Sequence, residues 1–349
     1  MRGRKILTGL SLGAGIVVCI VALFIAPGPQ PWPALRGASW VLLLFAGVVT
    51  VAETLFRGLR LCIVTRAVGG RVSLWTSVRI TLAGDFAAAI TPSRFGGEPA
   101  RLFALIRNGL SAGAAGAVLF GEFVTDLCAL GFLIAAAFGL SGDATHLRSI
   151  WVSAALLASV AAAVGCAMRW PGFLDRFWTP LARRRPVAWA LRRAGVEHFC
   201  LSQWIVEVRR RSYRLFATGW GKMAVGGAYA LLHTTARFAV LPLLAAAFGA
   251  PIGLQSAILI QLAIFYGSAL VPTPGGSGVP ELAFTAAISH SAPSAPVGLL
   301  LVLWRFLTCY LGGAVGGLLA PGLFRQETQD TGQKLRVQSP ESRIQSQSD

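Results

Sequence analysis

The sequence predicts an all-α, polytopic membrane protein, a helical bundle of about six full spans with two re-entrant helical hairpins. Hydrophobic residues make up 55% of the 349 residues and charged residues only 13%. A soluble domain of this size would need more charge on its surface. Long apolar runs, and two similar Pro- and Gly-rich breaks within apolar segments, complete the evidence for this fold class.

Six segments have enough apolar length to cross ~30 Å of hydrocarbon. They are residues 6–26, 38–57, 111–140, 149–168, 217–247 and 297–320. The first follows a short basic stretch and resembles a signal peptide, but about 20 apolar residues without a clear cleavage site favour a retained span.

Two further apolar segments, 74–91 and 254–271, run into related motifs. The sequence TPSRFGGEP covers 91–99, and TPGGSGVPE covers 273–281. Pro and Gly free backbone groups that cannot reach water inside a bilayer, so two such breaks indicate built sites at membrane depth. The short helical stretches after the motifs cannot cross the membrane, which predicts re-entrant hairpins at about 74–107 and 254–290.

The basic residues predict the orientation. Residues 1–5, 57–71, 169–216 and 325–349 hold 22 of the 31 Lys and Arg, whereas the opposite side holds only Arg36 and Arg148. The positive-inside rule therefore places both termini in the cytoplasm. With this topology the two hairpins enter from opposite sides, which predicts an inverted repeat of about 74–140 and 254–320.

The net charge of +17 is explained by this orientation and by anionic lipid, since the arginines cluster between apolar spans. We therefore do not expect nucleic-acid binding. Residues 1–324 form one predicted transmembrane domain. The basic, aromatic-rich insertion 169–216 is either a set of interfacial helices on an anionic membrane surface or a loop held inside by its charge. The polar tail 325–349 is predicted to be disordered.

Ionisable side chains at membrane depth are the sharpest functional clue, because each costs about 2.5–3.5 kcal/mol at the centre of a span. The spans contain Arg79, Asp85, Glu122, Asp126, His233, Arg237 and Arg305, and the broken segments add Arg94, Glu98, Arg101 and Glu281. These side chains form either a polar cavity for a charged head group or a structural ion-pair network.

Glu122 and Asp126 are four residues apart and share one helix face, so a base is expected between them. Arg94, Arg101, Arg237 or Arg305 are the candidates for that base. His233 is expected to make an interhelical hydrogen bond rather than to relay protons.

The broken loops combine glycines, which let a phosphate approach the backbone, with helix N-termini and arginines. They suit a phospholipid or polyprenyl-phosphate head group. The predicted substrate-binding residues are Thr91, Pro92, Arg94, Gly96, Gly97, Glu98, Arg101, Glu122, Asp126, Arg237, Thr273, Pro274, Gly275, Gly276, Gly278, Glu281 and Arg305. The alternative is that Pro and Gly only form turns.

The sequence contains no GxSxG, HExxH or GxxxxGK[ST] motif, and its six cysteines form no CxxC pair. We therefore predict no catalytic residue, no metal and no cofactor.

The stretches TPSRFGGEPARLFAL, FGEFVTDLCAL and PTPGGSGVPELAF resemble the transmembrane region of the lysylphosphatidylglycerol synthase and flippase family. The resemblance covers about 6–320, and the third stretch is the most specific. In the second, Phe123 follows Glu122 where family members often have Arg.

The resemblance implies a bacterial inner-membrane protein that translocates a charged or glycosylated lipid between leaflets, with the broken loops lining the lipid path. Synthase activity is not expected, because it belongs to a separate C-terminal aminoacyltransferase domain. The alternative function is a membrane-embedded enzyme or accessory factor that modifies a lipid-linked amino acid or sugar. The lipid and the formation of a homo-oligomer are left open.

Overall fold

A computed structural model describes residues 29–91, 93–139, 158, 201–270 and 278–325. The predicted spans 6–26 and, apart from Ala158, 149–168 lie outside the described residues, as do 169–200 of the insertion and 326–349 of the tail. Pro92, Thr273, Pro274, Gly275 and Gly276 of the predicted site also lie outside them.

The described residues form helices and no strands, as predicted for an all-α protein. In chain order the helices are α1 Pro31–Gly37, α2 Trp40–Ala67, α3 Leu74–Ile90, α4 Gly97–Arg107, α5 Ala112–Gly139, α6 Leu201–Thr218, α7 Trp220–Ala247, α8 Leu254–Leu270, α9 Val279–Ser291, α10 Val297–Arg305 and α11 Leu311–Arg325. A single π-helical turn, Phe306–Tyr310, joins α10 to α11.

Four of the described segments are long and apolar enough to cross a bilayer: Trp40–Ala67, Ala112–Ala137, Trp220–Ala247 and Val297–Ala320. They correspond to four of the six predicted spans. The chain is therefore a multi-pass helical membrane protein, whereas the full number of spans remains a prediction.

The second predicted span was placed wrongly at its C-terminal end. It was expected to end at residue 57, but α2 continues to Ala67. Arg57 and Arg60 therefore lie within the helix and not in a cytoplasmic loop. The apolar pattern stops at these two residues because they are charged, but carboxylates on neighbouring helices neutralise them and the helix continues.

The first broken segment is a helix, a tight connection and a second helix. α3 ends at Ile90, and α4 begins at Gly97. The Thr91 hydroxyl donates to the Ala87 carbonyl oxygen at 2.7 Å and accepts from the Gly96 N–H at 2.9 Å. This side chain therefore ties the end of α3 to the start of α4.

Ser93 and Arg94 in this connection have φ of 50° and 60°, the left-handed region that non-glycine residues rarely adopt. Two consecutive such residues indicate a conformation that the surrounding structure imposes. The backbone of this connection thereby sets the position and direction of the Cα–Cβ bond of Arg94.

The second broken segment ends in α9, which starts after Gly278, whose φ is 109°. The Glu281 carboxylate accepts from the Gly278 N–H at 2.5 Å and so caps the helix. Entry and exit of both broken segments on one side of the membrane remain predictions.

Two larger hydrophobic clusters, and a smaller one around Ile134, Phe238 and Ile258, hold the described helices together. One is formed by α7, α8, α9 and α10 around Trp304, which stacks on Phe284 with ring centroids 5.1 Å apart. The Trp304 N–H donates to the Gln261 side chain at 3.2 Å, and Gln261 donates to the Phe238 carbonyl oxygen at 2.9 Å. The other cluster joins α2, α3, α4 and α5 around Leu61, Ile80 and Leu105.

α6 is an amphipathic helix from the basic insertion. Its Ile205, Val208 and Leu215 are buried, and the Trp204 N–H donates to the Ala112 carbonyl oxygen of α5 at 2.9 Å. Glu207 accepts from Arg211 at 2.5 Å and from Arg210 at 2.6 Å, and these bonds hold the pKa of Glu207 below its usual value. The insertion therefore is helical from 201 onward and packs on a span.

Glycines let α11 pack closely on α3. A Cβ atom at Gly316 would overlap the Leu82 carbonyl oxygen, and one at Gly312 would lie 3.2 Å from an Asp85 carboxylate oxygen. Small residues spaced by four are typical of helix contacts within membranes, where close backbone approach provides the packing energy.

We expect Gly316→Ala to lower the thermal unfolding midpoint of the detergent-purified protein, because α11 must move away from α3. The matched control is Gly47→Ala in α2, where an added Cβ has nothing within 4 Å and alanine is the better helix former. Equal midpoints for the two variants would contradict the proposed contact.

Candidate functional site

Arg60 of α2 lies between the two acids that the sequence placed on one face of α5. Its Nε donates to the Glu122 carboxylate at 3.0 Å, and its Nη1 donates to Asp126. Arg60 and Glu122 are buried. This guanidinium therefore contacts both carboxylates and lies between them on one helix face.

Arg101 of α4 extends the pairing to the first broken segment. Its Nη2 donates to Glu122, and its Nη1 donates to both oxygens of Glu98 at 3.0 and 3.3 Å. Arg101 is buried, whereas the Glu98 side chain is 67% exposed. Glu122 is thus held by guanidinium groups from α2 and α4 together.

A second line of pairs runs along α2. Arg57 forms a bidentate bond with Asp85 of α3, with both distances 2.8 Å. Glu53 accepts from Arg237 of α7 at 2.8 Å and lies 3.9 Å from Arg57. Bidentate guanidinium–carboxylate bonds are among the strongest in proteins, so α2, α3 and α7 are fixed relative to one another.

His233 connects the two lines of pairs. Its Nε2 is 2.8 Å from an Asp126 carboxylate oxygen and 3.0 Å from Arg60 Nη1, and its Nδ1 is 3.9 Å from Glu53. The prediction of an interhelical hydrogen bond is confirmed. We call the whole set the central ion network: Glu53, Arg57, Arg60, Asp85, Glu98, Arg101, Glu122, Asp126, His233 and Arg237.

Some side chains of the central ion network are buried, and others are partly exposed. The side chains of Glu122 and Glu53 are 2% and 8% exposed, but those of Asp126 and Arg237 are 42% and 31% exposed. Asp126 and Arg237 lie near the middle of α5 and α7. Their charged groups therefore reach a space that hydrocarbon cannot fill favourably.

A separate group, the Cys309 cluster, consists of Arg94, Glu281, Arg305 and Cys309. Arg94 and Arg305 point one nitrogen each at the Cys309 sulfur, at 3.5 and 3.6 Å. Arg305 and Glu281 form a buried ion pair, with Arg305 Nη2 2.7 Å from Glu281 Oε1. The angles between the two groups do not satisfy the geometry of a hydrogen bond. Among the described acids none forms an ion pair with Arg94, although Asp85 is near enough to interact with its charge.

Cys309 lies in the π-helical turn Phe306–Tyr310, which follows Arg305 directly. The thiol is four residues after Arg305 and therefore lies on the same side of the helix. π-helical turns within α-helices are frequent at functional sites.

The structure brings together most of the described residues that the sequence predicted for the site. Glu98, Arg101, Glu122, Asp126 and Arg237 lie in the central ion network, and Arg94, Glu281 and Arg305 lie in the Cys309 cluster. Thr91, Gly96, Gly97 and Gly278 shape the connections and helix starts that carry these side chains. The role of any of them in binding substrate remains a prediction.

Sequence reasoning missed Glu53, Arg57 and Arg60. Their spacing of four and three residues places them on one face of α2, which is the available signal. Arg101 was among the expected bases for Glu122 and Asp126, but Arg60, which meets both acids, was not. In the part of the chain that the structure describes, no three His, Cys, Asp or Glu side chains are grouped as metal ligands.

Charged side chains that pair at the centre of apolar helices define a membrane protein with a polar interior. Residues 10–316 match the lysylphosphatidylglycerol synthase TM region, so the chain belongs to that family. It is 26% identical over 282 residues to a UPF0104 membrane protein of Archaeoglobus fulgidus, covering 79% of this chain and 85% of the relative.

Loss of Arg60 should be more damaging than loss of an exposed arginine. In Arg60→Met, Glu122 and Asp126 lose their shared cation inside the protein, and breaking such a pair costs about 3–5 kcal/mol. We expect a large fall in the thermal unfolding midpoint and in the yield of monodisperse protein.

The control is Arg36→Met in α1, where the side chain is exposed and no acid lies in the first turn. An Arg60→Met protein as stable as Arg36→Met would show that the network contributes little to folding.

Proposed function

We propose that the protein translocates a charged or glycosylated lipid across the cytoplasmic membrane of a bacterium, in the manner of a flippase. The lipid head group would pass along the open side of the central ion network while the acyl chains stay in the bilayer. The observation that carries this proposal is the exposure of Asp126 and Arg237 in the middle of α5 and α7. A head group or water must face them, because hydrocarbon is unfavourable.

The Cys309 cluster supports the same proposal. It holds two guanidinium groups and one carboxylate, and within the described residues Arg94 has only a sulfur for a partner. A lipid phosphate would add negative charge beside Arg94 and accept bidentate bonds from it. The left-handed backbone at Arg94 holds this side chain in place before the ligand arrives.

The two broken segments are similar in their dimensions. α3 and α8 each have 17 residues, and the short helices α4 and α9 have 11 and 13. Each short helix carries an acid in its first turn, Glu98 or Glu281, that pairs with an arginine. These similarities support the proposed inverted repeat, an arrangement in which two halves move about a central site.

The proposed orientation has cytoplasmic termini. With Arg57 and Arg60 assigned to α2, 20 basic residues remain in the proposed cytoplasmic segments against 2 outside. The bias therefore still favours this orientation. The exposed Arg209, Arg210 and Arg214 of α6 would lie on that side, facing anionic head groups.

Transfer of head groups between leaflets tests the proposal. Vesicles containing the full chain and a trace of fluorescent phosphatidylglycerol, or of its lysyl ester, are treated with an impermeant quencher. We expect the wild-type protein to carry the inner-leaflet probe to the outer leaflet, where the quencher removes its fluorescence. We expect Arg94→Gln and Arg237→Gln to slow this step about tenfold to a hundredfold, because each loses a charge-assisted bond.

Arg36→Gln serves as the matched control, because it makes the same Arg-to-Gln change at an exposed position in α1. Unchanged transfer in both site variants, with normal membrane insertion, would exclude this lipid path. A modified lipid product in place of transfer would favour the enzymatic alternative.

A further inference from the structure

A cavity at one end of the bundle is separate from the central ion network. It has a volume of about 650 Å³ and lies where the end of α2, the start of α3 and the start of α7 meet. Its lining consists of Arg66, Gly69, Gly70, Arg71, Val72, Ser73 and Lys222. We call it the α2–α3 pocket. Its size is within the range of small-ligand sites.

The charge of this pocket is unbalanced. Arg66, Arg71 and Lys222 contribute three positive charges, and its lining contains no carboxylate. In the central ion network, by contrast, every guanidinium group meets an acid. The Lys222 ammonium donates to the Arg66 carbonyl oxygen at 3.3 Å, which holds it at the C-terminal end of α2 beside the pocket. An anion would therefore be attracted here by three cations.

The backbone adds hydrogen-bond donors. Ser73 caps α3 by accepting from the Thr76 N–H at 3.2 Å, and α3 is a helix of 17 residues. The N–H groups at the start of such a helix have no intrahelical acceptor and form the positive end of the helix dipole.

Two tryptophans indicate the depth of the pocket in the membrane. Trp75 in the first turn of α3 is 60% exposed, and Trp220 at the start of α7 is 71% exposed. Exposed tryptophans at helix ends are typical of the head-group region. The neighbouring Leu74 is 40% exposed as well, so acyl chains can pass beside the pocket.

We infer that the α2–α3 pocket binds the phosphate of an anionic phospholipid head group from the leaflet that contacts this end of the bundle. The three cations attract negative charge, the positive end of the α3 dipole begins at Ser73 in the pocket lining, and the exposed tryptophans indicate the depth at which lipid phosphates lie. This site does not depend on the proposed transport, since it shares no residue with the central ion network or the Cys309 cluster.

Lipid retention tests the inference. Full-length protein purified in detergent is titrated with phosphatidylglycerol, and the bound lipid is counted by native mass spectrometry. We expect one tightly held phosphatidylglycerol per chain and none of the zwitterionic phosphatidylcholine. The variant Arg66→Gln/Arg71→Gln/Lys222→Gln should bind about a hundredfold more weakly, because each basic residue near anionic lipid contributes about fivefold.

The matched control Arg209→Gln/Arg210→Gln/Arg214→Gln removes the same charge from the exposed face of α6 and should retain the lipid. The variant Arg66→Lys/Arg71→Lys keeps the charge and should also retain it, which separates lipid binding from a folding defect. Equal retention in the pocket and α6 variants overturns the inference. So does inorganic phosphate that binds the wild type as tightly as the lipid, because the site would then be one for a soluble anion.

Discussion

The pairing of Arg60 with Glu122 and Asp126 is the constraint on which the described helices depend. A charge on an apolar helix is costly in a bilayer, and three charges on two helices are tolerable only when they meet. Arg60 brings α2 against α5, and Arg101 brings α4 to the same carboxylate. The position of the first broken segment relative to the long helices is therefore set by electrostatics as well as by packing.

Apolar packing and ion pairing make different contributions to the arrangement of the helices. The contacts of α3 with α11 depend on glycines that allow the backbones to approach, because lipid is as apolar as the side chains and gives no hydrophobic preference for helix association. Such contacts alone leave helix rotation weakly specified. The bidentate bond between Arg57 and Asp85 adds a directional constraint, so the face that α3 turns to α2 is fixed.

The paired charges are not sealed from their surroundings at every position. A network that was fully sealed would be structural only, but Asp126 and Arg237 remain partly exposed near the middle of their helices. Near the Cys309 cluster, Arg94 forms no ion pair with a described acid. The polar interior is thus fully paired where it holds helices together and incompletely paired where a charged head group is proposed to pass. The α2–α3 pocket differs from both, because all the charged residues in its lining are positive.

Much of the architecture followed from the sequence. Apolar length predicted the helices now described at 112–139 and 220–247, and the first TP-GG motif predicted the break after Ile90. These features are local: hydropathy depends on composition within one segment, and Pro and Gly act on their own backbone. The family motifs also identified the region that matches the lysylphosphatidylglycerol synthase TM region.

By itself, then, the sequence determined the fold class, most helix positions and the identity of most ionisable residues inside the bundle. Only the tertiary structure decided which of them meet. It extended α2 past Arg57 and Arg60, because their partners lie on α3 and α5, far along the chain. Ion pairs between helices depend on helix rotation and depth, which hydropathy and motif spacing do not encode.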